Sequence, residues 1–266
     1  MGPLDELGHH IEELLESLGG VEMVSFGWGS ITTYSVWIVI ALAVVFAVFW
    51  VVKSRVSLVP KMGPVAAIEA TVDYIRKDIG YGVLGSKEAV DRHMPFIFTI
   101  FFFILGANLI GLIPGAKAAS GTFSATLALA LISFIYFNYW GIRHSGLGHY
   151  LVNIAPSGIM PGLNVVVWLI ELMSLFLRLV TLSVRLFANM YAGHIVLGAF
   201  SILTTLFVFP VINDFTLANL GQGVASLGWV LLLIVMYGME LLVAFIQAYV
   251  FALLSAVYVM LTASEH

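Results

Sequence analysis

The sequence predicts an all-α polytopic membrane protein, and three observations carry that prediction. Hydrophobic residues make up 61% of the 266 residues and charged residues only 10%, with a mean hydropathy of +1.05. A soluble domain carries about 25% charged residues, so this composition cannot build a water-facing surface. Uncharged runs recur that are long enough to cross a hydrocarbon core of about 30 Å. Between the first two runs sit seven of the eleven basic residues: Lys53, Arg55, Lys61, Arg76, Lys77, Lys87 and Arg92.

The elements follow in order. Residues 1–30 hold six acids and no Lys or Arg. Leu4, Leu7, Ile11, Leu14 and Leu18 recur at helical spacing, which predicts a short amphipathic helix stopped by Gly19 and Gly20. An acidic N-terminus is no secretory signal, so the first span is expected to stay in place. That span is 31–52, an uncharged run of 22 residues. The connection 53–93 is basic and belongs in the cytoplasm by the positive-inside rule. Within it Val65, Ile68, Val72, Ile75 and Ile79 follow 3–4 spacing, opposite Glu69, Asp73, Arg76 and Lys77. This is the pattern of an interfacial amphipathic helix.

Residues 94–140 predict a transmembrane hairpin of two spans, 94–113 and 122–140, turned at Pro114 and Gly115. Residues 161–263 then carry two apolar segments, each far longer than the roughly 20 residues a perpendicular helix needs. No polar, basic turn interrupts them near Gly193 or Gly238. Two long, steeply tilted helices joined by an outer loop at 211–222 are therefore expected. No period of 20–50 residues repeats along the chain.

Charges inside these spans are the functional signal. An ionised side chain at membrane depth costs at least about 2.5–3.5 kcal/mol. Glu171, Arg178 and Arg185 are spaced by seven, which puts them near one helical face. Arg178 can snorkel to the interface, so Glu171 and Arg178 read as a structural pair. Arg185 sits deep in an apolar run, and a guanidinium keeps its proton in any protein setting. It needs water or a carboxylate from elsewhere. His194 lies nine residues on, roughly half a rotation away, so the two face different surroundings. Glu240 and Gln247 share one face of the last helix, again seven apart. A buried carboxyl near an imidazole is suited to passing protons. The remaining histidines (His9, His10, His93, His144, His149 and His266) read as surface or interface residues with no metal-binding spacing.

Composition excludes other classes. The chain has no cysteine, so disulfides and thiol catalysis are absent, and a net charge of −4 gives no footprint for nucleic acid. An intramembrane hydrolase would need a nucleophile–base pair or a metal motif, and neither His-Glu-x-x-His nor Gly-x-Ser-x-Gly occurs. A secondary transporter also buries charges at midplane, but broken helices and repeat symmetry are its signature.

The stretch TLSVRLFANMYAGH at 181–194 resembles the signature of subunit a of F-type ATP synthases. So do Glu240 to Gln247 with the AYVFALLSAVYV that follows, Ile170-Glu171 upstream of Leu177-Arg178, and NLIGLIP beginning at Asn108. The likeness covers essentially the whole chain in order. It implies one span, an interfacial helix, a hairpin and two long near-horizontal helices. It also implies a non-catalytic stator subunit with two proton half-channels against a rotor ring of subunit c. A peripheral stalk subunit b and the catalytic head complete the implied partners, in a bacterial plasma membrane. Arg185 would be the essential arginine facing the rotor carboxylate. Asn189, His194, Glu240 and Gln247 fall on the polar path, and Asn108 and Ser124 on its outer part. No cofactor or metal is implied. The proton is the expected ion, since His194 is a poor sodium ligand. Two positions depart from the common pattern: Leu179 replaces a proline, and Gly111 stands where some members carry an acid.

Eight basic residues, the seven above plus Arg143, fall on the predicted cytoplasmic side, against Lys117 alone outside. The N-terminus is thus predicted outside and the C-terminus inside. Because the chain lacks cysteine, a Ser57→Cys variant carries a single thiol. A membrane-impermeant maleimide should label it only when added to the cytoplasmic face; labelling from outside would reverse the topology.

Overall fold

A computed structural model describes residue 12 and residues 22–26, 29–55, 63–113, 115–146, 163–213 and 217–264. The expected helix at 1–18 lies outside these apart from Glu12, as do the histidines at 9, 10, 149 and 266. A short antiparallel hairpin comes first, β1 (Glu22–Phe26) and β2 (Gly29–Thr32), with Phe26 paired to Gly29 and Val24 to Ile31. The sequence reading placed no strand there. Val24, Phe26, Ile31 and Thr32 are strand-favouring residues. The other described elements are helical, and five of the helices are long and apolar enough to span a membrane.

The first is α1 (Thr33–Arg55). The interfacial helix α2 (Pro64–Ile75) runs without a break into a wider π-helical stretch, Arg76–Leu84. The hairpin is α3 (Lys87–Gly111), α4 (Phe123–Ser145) and a 3-10 turn between them, Ala119–Gly121. Ser86 starts α3 by accepting a hydrogen bond from the Ala89 N–H, the usual N-cap device. Last come α5 (Leu163–Asn213) and α6 (Leu217–Ser264), of 51 and 48 residues. At 1.5 Å per residue they are roughly 76 and 72 Å long, so neither fits upright in a 30 Å core. No glycine breaks them. The connection expected at 211–222 is shorter, because α5 runs to Asn213 and α6 resumes at Leu217.

The core lies between α3, α5 and α6. Ile97, Phe101 and Ile104 of α3 meet Leu182 and Leu186 of α5 and Ala248, Phe251, Ala252 and Ala256 of α6. Lipid offers no hydrophobic drive for helices to associate, so close packing and hydrogen bonds must hold them. The alanines of α6 permit the close approach. The hydrogen bonds are Ser133–Ser255 at 2.8 Å, Thr126–Ser183 at 3.3 Å, and Thr262 donating to the Phe137 carbonyl at 3.4 Å.

The basic side of the molecule is fastened separately. Ile75 and Ile79 of the interfacial rod enter the core, and the Tyr249 hydroxyl of α6 donates to the Asp78 carboxylate. Arg76 pairs with Asp91 at 3.2 Å. His93, read from the sequence as a surface or interface residue, is not on the surface. It is buried, its Nδ1 sits 3.0 Å from the Tyr136 hydroxyl, and its ring packs edge-on against Trp140. The reason is tertiary: the first turns of α3 lie along the end of α4, and Arg92 and Arg143 both cover Trp140 from outside.

By contrast α1 is attached lightly, through Ala41 against Ala107 and Ala119. Gly106 makes that approach possible, since a Cβ there would lie 2.6 Å from Val45 Cγ2. Gly106→Leu should push α1 off α3, at a cost of about 1–3 kcal/mol for overpacking. An Ala41→Cys/Ala107→Cys pair joined by a short thiol cross-linker should lose its cross-link in that background. An unchanged cross-linking yield would contradict the contact.

Candidate functional site

Polar groups on α5 and α6 divide between two faces. On α5, Leu182, Leu186, Met190 and Leu197 point into the bundle at 3–4 spacing. Arg185 falls on the other side and is exposed, with Thr181, Val184, Ala188 and Ala192 exposed beside it. Among the described residues Arg185 has neither an ion-pair nor a hydrogen-bond partner. Asn189 is half-exposed one turn on. Glu171 and Arg178 do not pair; Arg178 instead lies over the Tyr258 ring, 5.3 Å from its centre.

On α6 the inward face carries the other polar groups. Glu240 and Gln247 are 8% and 7% exposed and share that face with Ala244, Ala248 and Phe251. The Glu240 carboxyl rests on Gly193, where a Cβ would collide with all three of its terminal atoms. Only glycine leaves that space, so the two helices touch through a carboxyl on a bare backbone. Glu240 Oε1 is buried without a hydrogen-bond partner, and so is Nε2 of the adjacent His194. Two unpartnered polar atoms on neighbouring positions cost stability, on the order of 1–3 kcal/mol each.

These contacts fix the antiparallel register. Arg178 meets Tyr258, and Gly193 meets Glu240. Arg185 therefore lies level with the turn of α6 just beyond Gln247, roughly 12 Å along the helix from Gly193. The structure thus brings Glu240 onto Gly193, the residue before His194, and puts Arg185 and Gln247 at another level.

The outer candidates fare differently. Asn108 is fully buried; Ser120 Oγ–H donates to its Oδ1 at 2.5 Å, and its Nδ2 has no partner. Ser124 is exposed and joins none of these groups. A small pocket beside His194 is lined by Tyr34, Lys117, Tyr191 and Gly121. Sequence reasoning missed Tyr34, Lys117 and Tyr191, because nothing in their spacing brings α1, the hairpin turn and α5 together. The described residues hold no group of three or more potential metal ligands.

Residues 35–260 match the profile of the family described as ATP synthase A chain. The chain belongs to that family. Among its relatives, ATP synthase subunit a of Myxococcus xanthus is 35% identical over 86% of this chain and 72% of its own length. Those of Chlorobium phaeobacteroides and Chloroherpeton thalassium are 35% and 36% identical, over 89% and 86% of this chain and 66% of theirs. The chain spans half the length of another, from Anaeromyxobacter dehalogenans. Family and spans together make it a multi-pass membrane protein of ATP synthesis and proton transport.

Gly111, one of the two positions set apart in the sequence, has a packing reason. A Cβ there would collide with Ala118, whose Cα would be 2.7 Å away. The hairpin turn folds onto α3 where an acid would stand. Gly193 is the more sensitive position. Gly193→Ala should displace the Glu240 carboxyl and lower proton-driven ATP synthesis on the order of 10- to 100-fold, the scale for misplacing a reacting group by about 1 Å. Assembly of the complex, followed by native gel, should persist. Full activity would mean that the Gly193–Glu240 contact is not part of the working site.

Proposed function

We propose that this chain is the non-catalytic stator subunit of a rotary F-type ATP synthase, presenting two proton half-channels to a rotor ring of subunit c. One observation carries the reading: Arg185 lies exposed in a membrane-spanning helix with no acid among the described residues to balance it. Such a charge costs several kcal/mol against lipid and needs a carboxylate from a partner. The exposed Thr181, Ala188 and Ala192 beside it let another helix come close. A ring of helices, each with one membrane carboxyl, fits that face.

The mechanism follows from the two levels of polar groups. Protons enter from outside by way of His194 and Glu240, with Asn108 and Asn189 near the path, and load a ring carboxyl. After nearly a full turn the carboxyl meets Arg185. The fixed positive charge lowers its pKa, and the proton leaves on the cytoplasmic side. The same charge repels a proton taking the short way between the half-channels, so ions must ride the ring. Gln247 lies near the level of Arg185 but on the inward face of α6, as part of the polar path; Ser124 lines only the outer rim. Glu171 and Arg178 anchor α5 at the cytoplasmic interface. Subunit b would hold the stator to the catalytic head, and the membrane would be a bacterial plasma membrane with the C-terminus inside.

Substitution at Arg185 tests this. Arg185→Ala should abolish proton-driven ATP synthesis while the complex still assembles, because one outward charge adds little packing. Arg185→Lys should fail as well, since lysine loses its proton in apolar surroundings and lacks the planar fork. Normal synthesis in either variant, measured in inverted vesicles, removes Arg185 from the mechanism.

A further inference from the structure

Two features of the α3–α4 hairpin, a pair of arginines at its basic end and an apolar groove deeper along it, lie on one continuous face. We propose that this face holds one anionic phospholipid, with its headgroup on Arg92 and Arg143 and the tip of one acyl chain in the groove.

The headgroup end is built from both helices. Arg92 of α3 and Arg143 of α4 stand over the same Trp140 ring, 5.3 and 5.9 Å from its centre. Both arginines are exposed, and Arg143 also donates to the Tyr139 hydroxyl at 3.0 Å. Among the described residues neither has an ion pair. The acids on the same turns of α3 do not cancel them: Asp91 pairs with Arg76 at 3.2 Å, and Glu88 makes no ion pair. Two guanidiniums held on one ring keep their planar forks free for phosphate oxygens. Basic pockets between membrane helices collect anionic headgroups for this reason.

The chain end lies deeper. A groove of about 200 Å³ runs between α1, α3 and α4, lined by Ile38, Phe103, Ala107, Ala128 and Ile132 among others. The polar side chain on its wall is Ser120, whose hydroxyl already donates to Asn108. An apolar cavity of about 150 Å³ stays dry and takes a benzene-sized ligand, so this groove accepts the end of a hydrocarbon chain.

The two ends are in line and correctly spaced. Phe103 comes eleven residues after Arg92, and Arg143 eleven after Ile132. Eleven helical residues turn about 1100°, returning to within about 20° of the same face, and rise about 16.5 Å. The helices are antiparallel arms of one hairpin, so both intervals run inward from the basic end. Half of a hydrocarbon core of about 30 Å is about 15 Å, the reach of one acyl chain below its headgroup.

The test uses the assembled complex in phosphatidylcholine vesicles with a small fraction of a photoactivatable lipid. The probe carries a diazirine at the end of one acyl chain and is either phosphatidylglycerol or phosphatidylcholine. Both have a phosphodiester; only the first is anionic. Cross-links are mapped on this chain by mass spectrometry. Phosphatidylglycerol should label the groove around Phe103 and Ile132 at least about fivefold more than phosphatidylcholine, the factor one arginine near the surface contributes toward an anionic lipid. Arg92→Gln/Arg143→Gln should abolish that excess, although the label sits half a bilayer from the substitutions. Lys53→Gln/Lys77→Gln removes as much charge from exposed positions elsewhere and should leave the excess in place. Equal labelling by the two probes in the wild-type complex overturns the proposal without any variant. An equal fall in the lysine variant overturns it in favour of diffuse attraction to the basic end. Loss of the excess when inorganic phosphate replaces chloride at equal ionic strength overturns it in favour of a free-phosphate site.

Discussion

A guanidinium that cannot discharge, fixed on the outward face of a membrane helix, is the constraint around which this molecule is built. Arg185 finds no acid among the described residues of its own chain. Neither burial nor proton loss can relieve it, so relief must come from water or from a neighbour's carboxylate. That requirement turns one side of α5 outward and leaves small residues around the charge. The bundle must then pack on the opposite side, where Leu182, Leu186 and Met190 meet α3 and α6. A long helix with a polar edge and an apolar edge results, and its two edges do different work.

The inward edge is organised by small residues. Ala244, Ala248, Ala252 and Ala256 of α6 bring that helix close enough for dispersion contacts to hold it in lipid. Gly193 takes the approach further and lets a carboxyl sit on the backbone. Among the described residues the buried side-chain polar atoms left without partners are Glu240 Oε1, His194 Nε2 and Asn108 Nδ2. Native proteins leave few such atoms, and the ones they leave are where water or a moving proton is accommodated. A path that carries protons needs groups able to change partners, and a fully bonded network would have none.

Depth is set by a different kind of contact. Arg92 and Arg143 stand over Trp140, and Tyr249 reaches Asp78 on the interfacial rod. Aromatic rings with one polar end prefer the headgroup level, and arginines beside them gain both the ring face and the lipid phosphates. These contacts pin the basic ends of α3 and α4, and the Tyr249 stretch of α6, on one side of the molecule. With those ends pinned, helices of 51 and 48 residues can only tilt.

Much of this was legible in the sequence because lipid imposes simple rules. Run length, the clustering of seven basic residues and the absence of a break in the last hundred residues determined the spans, their order and the two overlong helices. Spacing by seven placed Glu240 with Gln247 on one face, and spacing by nine set His194 apart from Arg185, since one helix carries its own geometry wherever it goes. Contacts between helices obey no such rule. That Glu240 lies on Gly193, that Asn108 takes a hydrogen bond from Ser120, that His93 is buried beneath Trp140, and that Tyr34, Lys117 and Tyr191 share a pocket with His194 were decided only by tertiary packing. Each joins residues from separate elements, and helical periodicity fixes directions around an axis while saying nothing about which axis will be the neighbour.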